Sequence, residues 1–173
     1  MANATQMERK VKVEFPPHPT ESAGRPSVFL AGTTHRTKDD RDWREVATDA
    51  LSHLPVTIFN PFRPDWDDSW RQDITFAPFK EQVEWELDHQ ERADVILLYF
   101  APYTDAPISL LELGLAARSG KAIVGCHPEY KRRGNVEVVC RVYGIEFMDT
   151  VEDLGAAAVR KLEKMLRDGN KCS

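Results

Sequence analysis

The side chains of this sequence best suited to catalysis are two carboxylates that follow or border apolar segments. The first of them is Glu112. It lies downstream of the apolar run Val95–Phe100, in the segment Ser109-Leu-Leu-Glu112-Leu-Gly114. A carboxylate carried on a rigid helix start can point at a bound ligand, and Gly114 lets a ligand or backbone approach closely. Ser109 and Glu112 are also spaced as a capping box, in which Glu112 would only secure its own helix. The spacing leaves both interpretations open.

The second carboxylate is Glu86, within the predicted helix 78–92. Carboxylates are rarely buried without a partner, so a charge that borders a buried stripe is a candidate for catalysis. Glu86 is next to Leu87, which belongs to the predicted apolar stripe. The predicted stripe consists of Phe79, Val83, Leu87 and Gln90.

A loop rich in proline, aspartate and aromatic residues spans residues 60–76. Its aromatic side chains Phe62, Trp66 and Trp70 could stack on a planar ligand such as a nucleobase. They could equally pack the loop onto the domain as a small satellite core.

Several familiar sites are missing from the sequence. It contains no GxGxxG or GxxxxGK[ST] phosphate-binding motif and no GxSxG nucleophile elbow. Its five histidines show no metal-ligand spacing. We therefore expect neither a metal nor another cofactor.

The elements that must position the carboxylates alternate between strand and helix. A capping box is predicted at Thr37 and Asp40 for the first helix. The predicted strands are Val28–Ala31, Val56–Phe59, Val95–Phe100, Ala122–Cys126 and Ile145–Met148. The predicted helices cover residues 39–53, 78–92, 109–119, 135–142 and 151–168.

This alternation predicts an α/β fold, a flavodoxin-like, doubly wound, five-stranded parallel sheet in a three-layer αβα sandwich. The expected strand order is 2-1-3-4-5. Ligands of such sheets bind beyond the carboxyl ends of the strands, where the strand order reverses. That places the binding site at the loops Gly32–Lys38 and Ala101–Ile108.

The chain has 173 residues, a net charge of −5 and a pI near 5.6. We expect a tail over residues 1–26, in which residues 10–15 alternate like a short edge strand, and one domain over residues 27–170.

An acidic chain is a poor partner for polymeric nucleic acid. The apolar runs are too short to cross a membrane, the first residues lack a secretory signal, and three cysteines suit a reducing compartment. A cytoplasmic location is therefore expected.

Seven short runs, in order over roughly residues 28–150, resemble the nucleoside 2-deoxyribosyltransferase family, especially its small, stand-alone "deoxyribosyltransferase-like" branch. The runs are Phe29-Leu-Ala-Gly-Thr33, Trp43-Arg44, Asn60-Pro61, Gln82-Val-Glu-Trp-Glu86, Ala93-Asp-Val-Ile96, Leu110-Leu-Glu-Leu-Gly-Leu115 and Arg133-Gly-Asn-Val136. The family has a flavodoxin-like fold. Its members cleave the N-glycosidic bond of 2′-deoxynucleosides and pass the sugar to another base or to water.

The resemblance assigns roles to individual residues. Glu112 matches the nucleophile, while Asp105 and Glu86 lie near two further family carboxylates, so the catalytic candidates are Glu112, Asp105 and Glu86. Asn135 resembles an asparagine that binds the sugar 5′-hydroxyl from a neighbouring subunit, which implies a homo-oligomer. The candidates for binding the nucleoside or nucleotide are Gly32, Thr33, Asn60, Trp66, Ser109 and Asn135.

The implied reaction is a double displacement through a glycosyl-Glu112 intermediate, with an oxocarbenium-like transition state. Asp105 or Glu86 would act as the acid toward the leaving base. The first turn of the helix is expected to favour ionised Glu112. Two alternatives remain: an N-glycosidase of nucleoside 5′-monophosphates, with donors such as Thr34, His35 and Arg36, and a nucleotide-binding module without turnover.

Overall fold

The computed structural model describes residues 10–18, 26–33, 41–67 and 69–169. Strands and helices alternate along nearly the whole of this part of the chain. The elements are β1 (Lys12–Glu14), β2 (Ser27–Gly32), α1 (Trp43–Ala50), β3 (Thr57–Phe59), α2 (Ala77–Arg92), β4 (Val95–Phe100), α3 (Pro107–Ala116), β5 (Ala122–Cys126), α4 (Arg133–Tyr143), β6 (Glu146–Met148) and α5 (Val151–Gly169).

All the strands lie in one parallel sheet with the order β1-β3-β2-β4-β5-β6. The last five strands of the chain have the predicted order 2-1-3-4-5, which confirms the flavodoxin-like topology. Within the described residues the sheet has six strands, one more than the expected five. The additional strand β1 lies within residues 10–15, where the alternation predicted a short edge strand, and it pairs with the outer side of β3, with Val13 opposite Ile58.

Two apolar cores separate the three layers. One core packs α1 and α5 against one face of the sheet, and the other packs α2, α3 and α4 against the opposite face. Strand β4 contributes Leu97 to the first core and Leu98 to the second, and all six of its residues are buried. This is the pattern of a central parallel strand covered on both faces. None of the helices within the described residues has the length and apolar character needed to cross a membrane.

Helix α1 begins later than the sequence pattern indicates. Its N-cap is Asp42, whose side chain accepts a hydrogen bond of 3.0 Å from the backbone N–H of Arg44. The predicted cap residues Thr37 and Asp40 lie outside the described residues.

The buried face of α2 differs from the predicted stripe. Leu87 is 48% exposed, whereas Gln82, Trp85, His89 and Gln90 are buried. The predicted stripe was right for Gln90 and wrong for Leu87. Two glutamines lie on the inner face because each finds a hydrogen-bond partner there. Gln82 donates to the carbonyl of Pro61 at 2.9 Å, and Gln90 donates to the carbonyl of Glu112 at 3.0 Å.

Helix α3 starts two residues before the predicted capping box. Pro107 is its first residue and Ala106, at φ 44°, is its N-cap. Proline suits the first helical position because its fixed φ is helical and its missing N–H would have no partner there. Ser109 is therefore a buried residue of the first turn, and the predicted capping box with Glu112 is wrong.

Candidate active site

The turn that ends β2 is the structural centre of the candidate site. Gly32 has φ +122°, and a Cβ atom at this position would lie 2.4 Å from the carbonyl oxygen of Tyr99. The next residue, Thr33, donates its N–H to the same Tyr99 oxygen at 3.0 Å and accepts from the N–H of Ala101 at 3.2 Å. The turn is thus held against the end of β4, and its conformation requires glycine.

Glu112 extends from α3 to this turn. Its Oε2 accepts a hydrogen bond of 3.2 Å from the N–H of Gly32. Because Pro107 begins the helix, Glu112 is the sixth residue of α3, and the field of the helix start fades beyond the first turn. The expectation that the helix start keeps this carboxylate ionised was therefore wrong.

The surroundings of Glu112 favour its protonated form. Burial raises the pKa of Glu112 to about 8, and the negative charge of Glu86 adds to the rise. The hydrogen bond from Gly32 and the positive charge of Arg44 oppose that rise. At pH 7 most Glu112 carboxyls in the free protein therefore carry a proton.

Glu86 faces the site from α2. Its Oε1 accepts a hydrogen bond of 2.8 Å from the amide Nε2 of Gln82, whose side chain is buried. Burial raises the pKa of Glu86, whereas the hydrogen bond from Gln82 and the charge of Arg44 lower it. Glu86 and Glu112 therefore form a pair of partly buried carboxyls whose charges interact, and such a pair loses its two protons in separate steps.

Arg44 is a residue of the site for which the sequence pattern assigned no role. It is the second residue of α1, and its side chain is 6% exposed. Its guanidinium donates to the carbonyls of Thr33 and Gly32, each at 3.0 Å, and the indole N–H of Trp43 donates to Thr33 at the same distance. Trp43 and Arg44 together form one of the seven short runs on which the family resemblance is based.

Gln82 and Gln90 were also missed as residues of the site. Gln82 supports Glu86, and Gln90 joins α2 to the backbone of Glu112. The two glutamines within a helix rich in charged residues were the available sequence signal, because amides that become buried need specific partners.

Asp105, the third predicted catalytic carboxylate, is turned toward the loop before α4. Its side chain is 64% exposed and lies 3.3 Å from Nζ of Lys131, while its backbone carbonyl accepts a hydrogen bond of 3.1 Å from the hydroxyl of Tyr130. The same loop holds Tyr103 at φ 58° and Ala106 at φ 44°. Non-glycine residues in this region of backbone space store strain, which is common near functional sites.

The predicted binding residues are spread over several elements. Gly32 and Thr33 form the turn beside the carboxyl pair, and Ser109 is buried in the first turn of α3. Asn135 is exposed in the first turn of α4. Asn60 follows β3, where its Oδ1 accepts the N–H of Phe62 at 3.0 Å.

Trp66 belongs to an aromatic cluster in the loop before α2. Its ring centroid lies 5.2 Å from that of Trp70 and 6.3 Å from that of Phe79. Beneath them, the buried Arg63 pairs with Asp65 and Glu81, each at 2.9 Å. These contacts fit the satellite-core alternative for the loop.

Comparisons with known proteins agree with this architecture. Among solved structures, a conserved protein from Enterococcus faecalis V583 is similar to this chain, with a TM-score of 0.57 and 11% identity. The alignment covers 80% of this chain and 100% of that one, and at this identity the likeness shows the fold. A search of curated proteins finds no match.

A family model described as "nucleoside 2-deoxyribosyltransferase like" matches residues 25–130. The match covers more than half of the chain and contains Gly32, Arg44, Glu86 and Glu112. The chain therefore belongs to the nucleoside 2-deoxyribosyltransferase-like family.

Proposed function

We propose that this protein cleaves the N-glycosidic bond of 2′-deoxynucleosides and transfers the deoxyribosyl group to another nucleobase or to water. The observation that carries the proposal is the pairing of Glu112 with Glu86 beside the Gly32 turn. Membership of the family supports a function in nucleoside glycosyl transfer. A retaining double displacement needs a nucleophilic carboxylate and an acid that flank the scissile bond, and Glu112 and Glu86 offer two such carboxyls from helices α3 and α2.

The first step forms a covalent sugar intermediate. Ionised Glu112 attacks C1′, the bond from C1′ to the base nitrogen breaks, and its electron pair stays with the base. Glu86 supplies the proton that neutralises the departing base. The reacting state holds one proton on Glu86 and none on Glu112, and the N–H of Gly32 stabilises the Glu112 charge.

The second step returns both carboxyls to their starting states. The acceptor base loses a proton to Glu86 as its nitrogen attacks C1′, and the bond between C1′ and Glu112 breaks. Water in the acceptor's place gives free deoxyribose. Two inversions at C1′ retain the configuration of the sugar.

The test uses the purified protein with each 2′-deoxynucleoside and its 5′-monophosphate, with and without a second free base. Chromatography should detect a new deoxynucleoside only when the acceptor base is present. Glu112→Gln, which has nearly the same shape but cannot attack, should reduce this product by at least about 10³-fold. Intact-protein mass spectrometry should detect one added deoxyribosyl group on the wild type and none on Glu112→Gln.

Other products would identify the alternatives. Free base without a new nucleoside would identify a hydrolase, and dependence on the 5′-phosphate would identify a nucleotide N-glycosidase. Full activity of Glu112→Gln would disprove the covalent mechanism. Binding without cleavage of any substrate, by protein with a normal melting transition, would favour a nucleotide-binding module.

A further inference from the structure

The guanidinium of Arg44 has a place in the site that the two-step mechanism does not use. It donates to two successive backbone carbonyls, those of Gly32 and Thr33, at 3.0 Å each. The N–H of Gly32 in turn meets Oε2 of Glu112. Two hydrogen bonds, both made by the backbone of Gly32, therefore connect Arg44 to the proposed nucleophile.

Burying an arginine only to hold a turn costs free energy. An ionised side chain loses much of its hydration on burial, and a neutral amide could donate to the same carbonyls. The planar fork of arginine does match two neighbouring carbonyls, which a lysine ammonium cannot do with the same rigidity. The geometry of the turn nevertheless does not explain why the donor is a charged group.

The charges around Arg44 provide that reason. Hydrogen bonds to carbonyls, which are neutral, leave the positive charge of a guanidinium in place. Among the described residues, the charged groups that face Arg44 include Asp42 at the N-cap of α1, 3.9 Å from Nη1, Glu86 of α2 and Glu112 of α3. The charge of Arg44 lowers the pKa of both Glu86 and Glu112, in opposition to burial.

We propose that Arg44 is a positioning residue for the carboxyl pair, with two linked effects. Its fork fixes the Gly32–Thr33 turn so that the Gly32 amide meets Glu112, and its charge stabilises the negative charge that the pair carries during reaction. This inference rests on the proposed function for its catalytic consequence, but it also predicts a property of the protein without substrate.

The experiment compares three substitutions that separate charge from shape. Arg44→Gln keeps hydrogen-bond donors and removes the charge, whereas Arg44→Lys keeps the charge and loses the fork. Arg160→Gln is the control, because Arg160 is 63% exposed on α5 and pairs with Glu146 at 2.8 Å. Each variant is made with Glu112 intact and with Glu112→Gln, and its melting temperature is measured from pH 5 to pH 10.

The readout is the melting-temperature difference between each Glu112→Gln protein and its parent, plotted against pH. This difference cancels the titration of groups that do not interact with Glu112 and retains that of Glu112 together with its coupling to Glu86. For wild type and for Arg160→Gln it should rise above about pH 4.5 and level off at the titration midpoint of Glu112 in the folded protein, near pH 8. For Arg44→Gln the midpoint should move up by roughly one pH unit, and for Arg44→Lys by much less.

With an active substrate, both Arg44 variants should lose about 10- to 100-fold in kcat with a smaller change in KM. The pH profile of kcat/KM should move to higher pH only in Arg44→Gln. A merely structural role would lower the melting temperature of both variants equally and leave both pH midpoints in place, which would overturn the proposal. If Arg44→Lys were the only variant that folded, full kcat in that variant would also overturn the proposal.

The two proposals can fail separately. If no nucleoside is cleaved but the midpoint moves in Arg44→Gln, the positioning role stands and the proposed activity falls. If nucleosides are cleaved and the midpoint stays in place, the activity stands and the electrostatic role of Arg44 falls.

Discussion

The backbone N–H of Gly32 donates a 3.2 Å hydrogen bond to Oε2 of Glu112, which joins the end of a central strand to the middle of a helix. The donor belongs to a turn that Arg44 and Tyr99 hold from two sides. A backbone amide fixed in this way cannot rotate away when the carboxyl gains or loses its proton. The site is therefore organised before substrate arrives, which is the arrangement that stabilises charge most effectively in a transition state.

Gly32→Ala should unfold more easily and lose most of its activity. A Cβ atom would meet backbone atoms of Tyr99 at 2.4 and 2.7 Å, and φ +122° is itself unfavourable for alanine. We expect a loss of more than about 1–3 kcal/mol in the free energy of unfolding by urea. Gly120→Ala is the control for backbone strain alone, since Gly120 has φ +71° and open space around its Cβ position. Equal losses in the two variants would contradict a steric role for Tyr99.

The stability that protonated Glu112 contributes should fall as the pH rises from about 4.5 to about 8. The pKa of Glu112 is raised on folding from an ordinary value of 4.5 to about 8, so the folded protein binds this proton more tightly than the unfolded chain. That contribution is complete below pH 4.5 and is lost as the pH rises through about 8. Glu112→Gln, which stays neutral, should melt at a higher temperature than wild type at pH 9. A higher melting temperature for wild type at pH 9 would show that burial does not oppose the charge.

Glu86→Gln should slow cleavage of natural nucleosides by about 10²–10⁴-fold, the usual contribution of a general acid. The loss should be small for a deoxyriboside whose leaving group is acidic enough to depart without a proton. The substitution also removes a charge that raises the pKa of Glu112, so the Glu112 midpoint should fall below about 8. Equal losses for both kinds of leaving group would argue against an acid role.

Asp105→Asn should change turnover by less than about tenfold, well below the effect of Glu86→Gln. The Asp105 carboxylate is 64% exposed and pairs with Lys131 at 3.3 Å, and exposed ion pairs contribute only about 0–1 kcal/mol to stability. Steady-state rates of the two variants with one substrate make the comparison. A loss in Asp105→Asn as large as that in Glu86→Gln would mean that the loop turns inward when substrate binds.

The sequence predicted the sheet well because each strand can be recognised from its own residues. Runs such as Val95–Phe100 are apolar throughout, and a parallel strand covered on both faces needs nothing else. Glu112 and Glu86 could be selected singly because a carboxylate beside an apolar stripe is unusual. Their pairing depends on two helices on one face of the sheet, which spacing along the chain does not specify.

Arg44 and the inner face of α2 could not be predicted for a related reason. The partners of Arg44 are backbone carbonyls 11 and 12 residues earlier in the chain, and a carbonyl has no signature in the sequence. On α2, the predicted stripe placed Gln90 inside correctly and Leu87 inside wrongly, and the inner glutamines Gln82 and Gln90 each donate to a backbone carbonyl. Polar contacts with backbone atoms thus fix details that hydrophobic periodicity leaves open.

The short strand β1 has a consequence for how the protein should be produced. It covers the outer hydrogen-bonding edge of β3, and an uncovered strand edge readily pairs with other chains. A recombinant protein shortened to begin at residue 26 would keep the carboxyl pair and lose this cover. The shortened form should therefore self-associate as its concentration rises, even while each molecule retains Glu86 and Glu112.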